Sequence, residues 1–387
     1  TRVVIVDAVR TPTGRFQGSL AQYKATDLGA KVIAALRERN DLAPNGVDEV
    51  IMGQVVQAGV GQAPARQASI RGGISPEVPA VAVNKVCGSA MKAVIMASQA
   101  IKAGDAKVVI AGGMESMSNA PYALPGARQG YRLWDQQVKD LLVYDGLWCN
   151  FENQHMGVAA EYTAKKSGIS REEQDKYAYQ SHMKAAKATE EGKFKEEIVP
   201  IETKDGVLDR DETIRPDTSL EKLAQLKPVF QEGGTVTAGN APGLCDGASA
   251  VLVMSKEEAE RRGYKPLAEI IGYAVAGVEP IELFYGPVVA TRMLMDKLGV
   301  DINFFDLIEV NEAFAAQTLA DGKELGWDWE RVNVNGGALA LGHAIGSSGT
   351  RILATLLYEL RRRKKEHGLA TICMGGGTAA SLAVRAL

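Results

Sequence analysis

An α/β protein built from two related halves is the fold class this sequence predicts, and three observations carry the prediction. Apolar runs of strand length alternate with segments of helical period in both end regions. The same order of strand, small-residue turn, long helix and glycine-rich strand end occurs twice. Between the two occurrences, roughly residues 117 to 240, the pattern is less regular and richer in charge and aromatics, as in an insertion that covers a site. With 387 residues, 46% of them hydrophobic, the chain has room for two ordinary domains or one duplicated unit.

In order, "RVVIVDA" reads as a strand, "ATDLGAKVIAALRER" as a helix and "VDEVIMGQV" as a second strand. "VPAVAVN" reads as a strand. "GSAMKAVIMASQAIKAG" follows as a helix with Met91, Val94, Ile95, Ser98 and Ile101 near helical spacing, and "AKVVIAGGMES" as another strand. In the middle, "SREEQDKYAYQSHMKAAKATEEGKF" carries a capping box, Ser170 with Glu173, and ends near Gly192, which predicts a mostly solvated helix. "EGGTVTAGNAPGLCDGASA" leads back to the second half. There "PLAEIIGYAVAG", "GPVVATRMLMDKLG" and "FDLIEVN" read as strand, helix and strand. "VNVNGGALALGHAIGSSG", the helix "TRILATLLYELRRRKK" and the strand "LATICMGGGTAA" complete the chain. The expected divisions are 1–116 and 241–265 for the first half, 117–240 for the inserted loop domain and 266–387 for the second half.

A formal net charge of -3 gives no broad reason to expect nucleic acid or an anionic membrane as partner. The basic run "RRRKKEHG" reads as a solvated helix end, its cations offsetting the dipole and Gly368 stopping the helix. No stretch is apolar for long enough to cross a bilayer, and "TRVVIVDAVRTP" enters a strand pattern at once. The expectation is cytoplasmic, with an organelle still open because the chain begins at Thr1. Cys87, Cys149, Cys245 and Cys373 form no CxxC pair, and no HExxH occurs, so free thiols and no metal are expected. "GHAIGSSG" admits a phosphate-loop reading but lacks the Lys and Ser/Thr ending of a P-loop. No well-formed GxGxxG follows the first strand, which leaves a nicotinamide-dependent oxidoreductase with little support.

Cys87, Asn311 and His343 fall in turns after strands, and Cys373 on the last strand pattern; such turns gather into one crevice in open α/β sheets. Singly, each has a plainer reading. Cys87 and Cys373 could be small buried hydrophobes, His343 an exposed turn residue, and Asn311 a turn or capping residue. A thiol at a strand-to-helix turn beside a histidine has its pKa lowered, which suits Cys87 as a nucleophile.

Together, "NKVCGSAMKAV", "GGMESMSNAPY", "GTVTAGNAPGLCDGASA", "VNEAFAAQ", "NVNGGALALGHAIG" and "CMGGGTAA" resemble the thiolase family over essentially the whole chain, in family order and with family-like spacing. The likeness is to its acetoacetyl-CoA thiolases first and to the 3-ketoacyl-CoA thiolases of β-oxidation next. It implies a thiolase-like duplicated layered fold (α-β-α-β-α) with an inserted loop domain. It also implies Cys87 as the nucleophile that takes the acyl group, His343 as its activator and Cys373 as the residue that moves the other proton. Asn311 would hold a water that forms one oxyanion hole with His343, and the N–H groups of Cys87 and Gly375 would form the other.

Coenzyme A would be substrate and product, with no cofactor. Its groove would be lined by Leu147, His155, Met156, Arg215, Leu226, Phe230, Ala238, Ala241, Leu283, Ala313 and Phe314, with Arg215 at the nucleotide end. Two positions depart from the family pattern. Pro242 stands where many acetoacetyl-CoA thiolases have serine, and Ala344 follows His343 where many members have proline. Phe284 and Tyr285 add aromatic bulk where the acyl pocket closes. The family usually forms dimers or tetramers, and "NAPYALPGARQGYRLW" lies where tetramer-forming loops occur, so a homotetramer is expected. A non-catalytic acyl-CoA or lipid-binding relative is the reading from another functional class.

Overall fold

The computed structural model describes all residues from Thr1 to Leu387. The first half opens with β1 (Val3–Arg10), α1 (Ala25–Arg39), β2 (Glu49–Gly53) and α2 (Pro64–Arg71). It continues with β3 (Ala80–Val83), α3 (Ser89–Ala103) and β4 (Val108–Ser116). A long irregular stretch then carries the helices α4 (Met156–Ser167) and α5 (Arg171–Glu190), before β5 (Cys245–Ser255) returns to the sheet. The second half comprises β6 (Ala268–Gly277), α6 (Gly286–Leu298), β7 (Leu307–Val310), α7 (Ala315–Leu325), α8 (Ser348–Arg363), β8 (His367–Met374) and β9 (Thr378–Ala386).

The strands form one sheet in the order β7-β8-β9-β6-β1-β5-β4-β2-β3. The two halves repeat the same pairing about the β1–β6 contact, where Val4 faces Glu269 and Ile5 faces Ala268. In the first half β3, β2 and β4 run parallel, and β5 and β1 add antiparallel. In the second, β7 and β8 run parallel and β9 and β6 add antiparallel. The counterpart of β3 is reduced to a single parallel bridge between Ile308 and Val332.

Alternation along the strands explains the layers, since successive side chains face opposite sides of a sheet. Ile5, Ile51, Val109 and Val253 of the first half and Ile270, Ala370, Ile372 and Leu382 of the second share one core with Met91, Val94 and Ile95 of α3 and Ile352, Leu353 and Leu356 of α8. The intervening residues Val4, Val50, Met52, Ile110 and Leu252 pack on α1 and α2. Ile308, Val310, Leu369 and Ala383 pack on Val288 and Leu294 of α6. The result is the layered α-β-α-β-α arrangement with α3 and α8 at its centre.

Two expectations need correction. The basic run does not end on Gly368. Helix α8 stops at Arg363, Lys364 takes the left-handed cap at φ 53°, and Gly368 lies inside β8. A Cβ on Gly368 would stand 2.7 Å from Leu360 Cδ1, so glycine there serves a close strand-to-helix approach. Helix α5 has the expected capping box, with Ser170 Oγ accepting from Glu173 N, but it is not mostly solvated. Gln174, Asp175, Tyr177, Ser181 and His182 are buried on its inner face. That face escaped the hydrophobic pattern because, Tyr177 apart, it consists of polar residues and the small Ala178, Ala185 and Ala188.

The middle segment is tied to the core by a buried ion cluster. Arg10, at the end of β1 and fully buried, donates from Nε to Glu197 (2.7 Å) and from Nη1 and Nη2 to Asp211 (2.6 and 3.0 Å). Thr355 of α8 adds a bond to Glu197 at 3.0 Å. Removing one partner of such a cluster strands charges without compensation. Arg10→Ala is therefore expected to cost about 3–5 kcal/mol of stability, read as a lower urea midpoint in equilibrium unfolding.

Candidate active site

The residues that connect β3 to α3 are held by their own side chains. Val86 N donates to Asn84 Oδ1 (3.0 Å), Lys85 N to Ser89 Oγ (2.8 Å), and Ser89 Oγ to Val86 O (2.6 Å). These bonds hold Val86 in the left-handed region at φ 48°, a conformation a β-branched residue rarely adopts. Cys87 follows it, partly buried, just ahead of the first turn of α3.

The second half delivers its residues to the same place. Cys373 is buried near the end of β8, and Gly375 begins the turn that follows. A Cβ on Gly88 would meet the Met374 side chain at 2.1 Å, so glycine lets that side chain pack against the start of α3. Asn311 directly follows β7, and His343 lies between the short helix Ala338–Leu341 and α8. Asn311 Nδ2 meets His343 Nε2 at 3.3 Å, and His343 Nδ1 meets Ser348 Oγ at 2.5 Å. Ser348 donates its own proton to Ala344 O at 3.0 Å, so its oxygen accepts from Nδ1–H and leaves Nε2 as the basic nitrogen. Asn311 Oδ1 is buried without a protein partner.

Cys87, His343, Cys373 and Gly375 line one cavity of about 400 Å³. Of the positions expected to bind coenzyme A, all but Leu226 line it too. Leu226 instead lies partly buried beside Gly239, and its carbonyl accepts from Arg171 at 2.9 Å. Arg215 is exposed at the cavity wall, its backbone N donating to His182 Nδ1 at 3.0 Å. An aromatic series forms another wall: His155 stacks on Phe230 at 4.7 Å, Phe230 meets Phe314 edge-on at 6.1 Å, and Phe314 meets Phe284 at 5.4 Å. Pro242 lines the cavity, whereas Ala344 lies behind it, near Arg351.

Burial dominates the electrostatics, and it reverses the expectation of an acidified thiol. Desolvation pushes the Cys87 thiol up to about 11, although the N–H groups of Gly375 and of Cys87 itself pull the other way. Desolvation also depresses His343 to about 3, with the nearby Arg351 charge adding to the effect, so there is no imidazolium to stabilise a thiolate. Burial, and then the neighbouring Cys87, raises Cys373 as well. At neutral pH the three groups rest as thiol, imidazole and thiol. A helix N-terminus favours the anion, but here the loss of water outweighs it.

Several residues at the site were not singled out in the sequence. Ser348, five residues after His343, sat in a run read as a glycine-rich turn. Glu115 sat in "GGMES", read only as a strand end. Its buried carboxylate accepts from Val55 N (2.9 Å) and Val56 N (3.2 Å), and burial pushes it up to about 8. Val86, Met117, Val143, Val229, Leu244 and Ile345 complete the apolar lining; no periodicity marks them, because Val143 lies in a helix of only six residues and the others lie outside a regular element or at its end.

The comparisons with known proteins agree with this architecture. The family description "Thiolase, N-terminal domain" matches residues 3–257, and "Thiolase, C-terminal domain" matches residues 264–386. The chain belongs to the thiolase family. This thiolase is 54% identical over 385 residues to the acetyl-CoA acetyltransferase of Pseudomonas aeruginosa, covering 98% of each chain. It is 53% identical to a Chromobacterium violaceum protein of that name and 52% identical to one from Escherichia coli, with 99% of each chain covered in both cases. No helix is long and apolar enough to cross a membrane.

A raised thiol pKa has a direct readout. The rate of Cys87 alkylation by iodoacetamide is expected to keep rising with pH through 9 toward about 11. A plateau below pH 8 would show a thiolate at rest and contradict the neutral site.

Proposed function

We propose that this thiolase interconverts acetoacetyl-CoA plus CoA with two molecules of acetyl-CoA, carrying an acetyl group on the sulfur of Cys87. The observation that carries the reading is the convergence of two thiols and an imidazole on one cavity: Cys87, Cys373 and His343. The names of the relatives supply the substrate class.

In the thiolysis direction, Nε2 of His343 takes the Cys87 proton as sulfur attacks the ketone carbon. The oxyanion forms at the Cys87 and Gly375 N–H groups, whose placement favours negative charge at Cys87. The C2–C3 bond then breaks. Its electrons form the enolate of the departing acetyl-CoA, with His343 and a water on Asn311 stabilising the enolate oxygen. The buried Cys373 thiol delivers its proton to C2. Incoming CoA gives its own proton to the Cys373 thiolate and attacks the acetyl thioester, and Cys87 leaves to recover its proton from His343. Condensation is the reverse. Acyl and proton transfer balance without metal or redox chemistry, and coenzyme A enters only as substrate and product.

In this reading residues 117–240 form a loop domain over a first half made of 1–116 and 241–265, and Arg215 meets the nucleotide end of coenzyme A. The working assembly is a homotetramer, supported by the exposed Tyr122, Leu124, Leu133, Trp134 and Val138 in one loop. A dimer mass in light scattering would overturn that assembly. The compartment proposed is the cytoplasm.

The aromatic wall of Phe314 and Phe284 favours short acyl groups over the broader 3-ketoacyl range of the degradative relatives. Thiolysis with excess CoA is expected to fall sharply beyond acetoacetyl-CoA in a chain-length series, whereas rates that rise with length would move the assignment to β-oxidation. Cys87→Ala is expected to lower turnover at least ~10³-fold. Labelled acetyl should be trapped on Cys87 of the unmodified protein; binding of acyl-CoA with no label on Cys87 would identify a non-catalytic relative.

A further inference from the structure

Glu312 follows Asn311 directly and is fully buried. Its carboxylate collects four donors from three separate segments. Oε1 accepts from Tyr177 Oη (2.8 Å) and Asn333 Nδ2 (2.9 Å), and Oε2 from Ser181 Oγ (2.9 Å) and Leu339 N (3.0 Å). Tyr177 and Ser181 lie on α5, and Leu339 lies in the short helix that leads to His343.

The same segments are bound to one another around this centre. Asn333 returns to β7 by accepting from Val310 N (2.8 Å) and donating to Val310 O (2.9 Å). Ser181 Oγ also accepts from Gly337 N at 3.0 Å, and a Cβ on Gly336 would stand 2.5 Å from Ser181 O. The stretch that precedes His343 is thus clamped between α5 and the residue next to Asn311.

We propose that Glu312 is a positioning residue that holds Asn311 and His343 at their working separation and couples both to α5. It lies outside the cavity lining, so it touches no substrate. Helix α5 extends the coupling outward. Its His182 accepts from Arg215 N, and its Asp175 accepts from Asn240 Nδ2 at 3.0 Å, beside the lining residue Ala241. One helix therefore sets both the catalytic pair and part of the cavity wall. The inference rests on the proposed thiolase chemistry for its kinetic readout and on geometry alone for its structural one.

Glu312→Gln is the test, because it keeps the shape but turns one acceptor into a donor. Whichever way the amide points, either Leu339 N or Asn333 Nδ2 loses its partner; Asn333 cannot turn over without losing Val310 N. The expected result is a kcat for acetoacetyl-CoA thiolysis reduced about 10–100-fold, with KM for both substrates within about threefold. Tyr177→Phe, which removes one donor of four, should show the same split at smaller size and decides the matter if Glu312→Gln fails to fold. Unchanged kcat, or a rise in KM alone, overturns the proposal. If the unaltered protein performs no thiolysis, the functional reading fails instead. The Asn311 Nδ2 to His343 Nε2 distance in a crystal structure of Glu312→Gln then decides: a clear departure from 3.3 Å supports the positioning role, and an unmoved pair overturns it.

Discussion

The first turns of α3 and α8 meet backbone to backbone, and the site depends on that contact. A Cβ on Gly349 would stand 2.4 Å from Met91 N, and one on Gly113 only 1.9 Å from Gly346 O. Without side chains at these points, the loop bearing His343 lies directly on β4 and on the start of the helix that follows Cys87. Any larger residue at these points would force the two helix starts apart. The duplicated sheet supplies two equivalent helix starts, and the glycines allow them to approach.

Close packing has an electrostatic consequence. Burial around Cys87 and His343 opposes a thiolate–imidazolium pair at rest. Burial raises the thiol and depresses the imidazole by more than the N–H groups recover. In the proposed mechanism charge arises only during the reaction, at the N–H groups of Cys87 and Gly375. Ser348 matters to that mechanism because fixing the proton on Nδ1 leaves Nε2 as the basic nitrogen that the proposal assigns to proton transfer.

The middle segment enters the site through polar contacts. Arg10 joins β1 to Glu197 and Asp211, while α5 reaches Glu312, Asn240, Thr235 and Arg215 through its buried polar face. Such contacts are directional, so they fix position as well as proximity. They also fall outside the periodic signals that reveal elements in a sequence, which is why α5 reads as solvated until its partners are seen.

Read alone, the sequence determined the element order, the duplication and the four residues that resemble a thiolase site, because apolar periodicity and glycine-bounded turns are local properties. Cys87 and Cys373 could be singled out by type and setting, as could most of the cavity lining by likeness. The tertiary structure decided what depends on surroundings. It removed Leu226 from the cavity, placed Gly368 in a strand, gave His343 its Ser348 partner and made Glu312 a junction. It also set burial against the expected acidification of Cys87, since desolvation is set by atoms distant in sequence and no local pattern of residues records it.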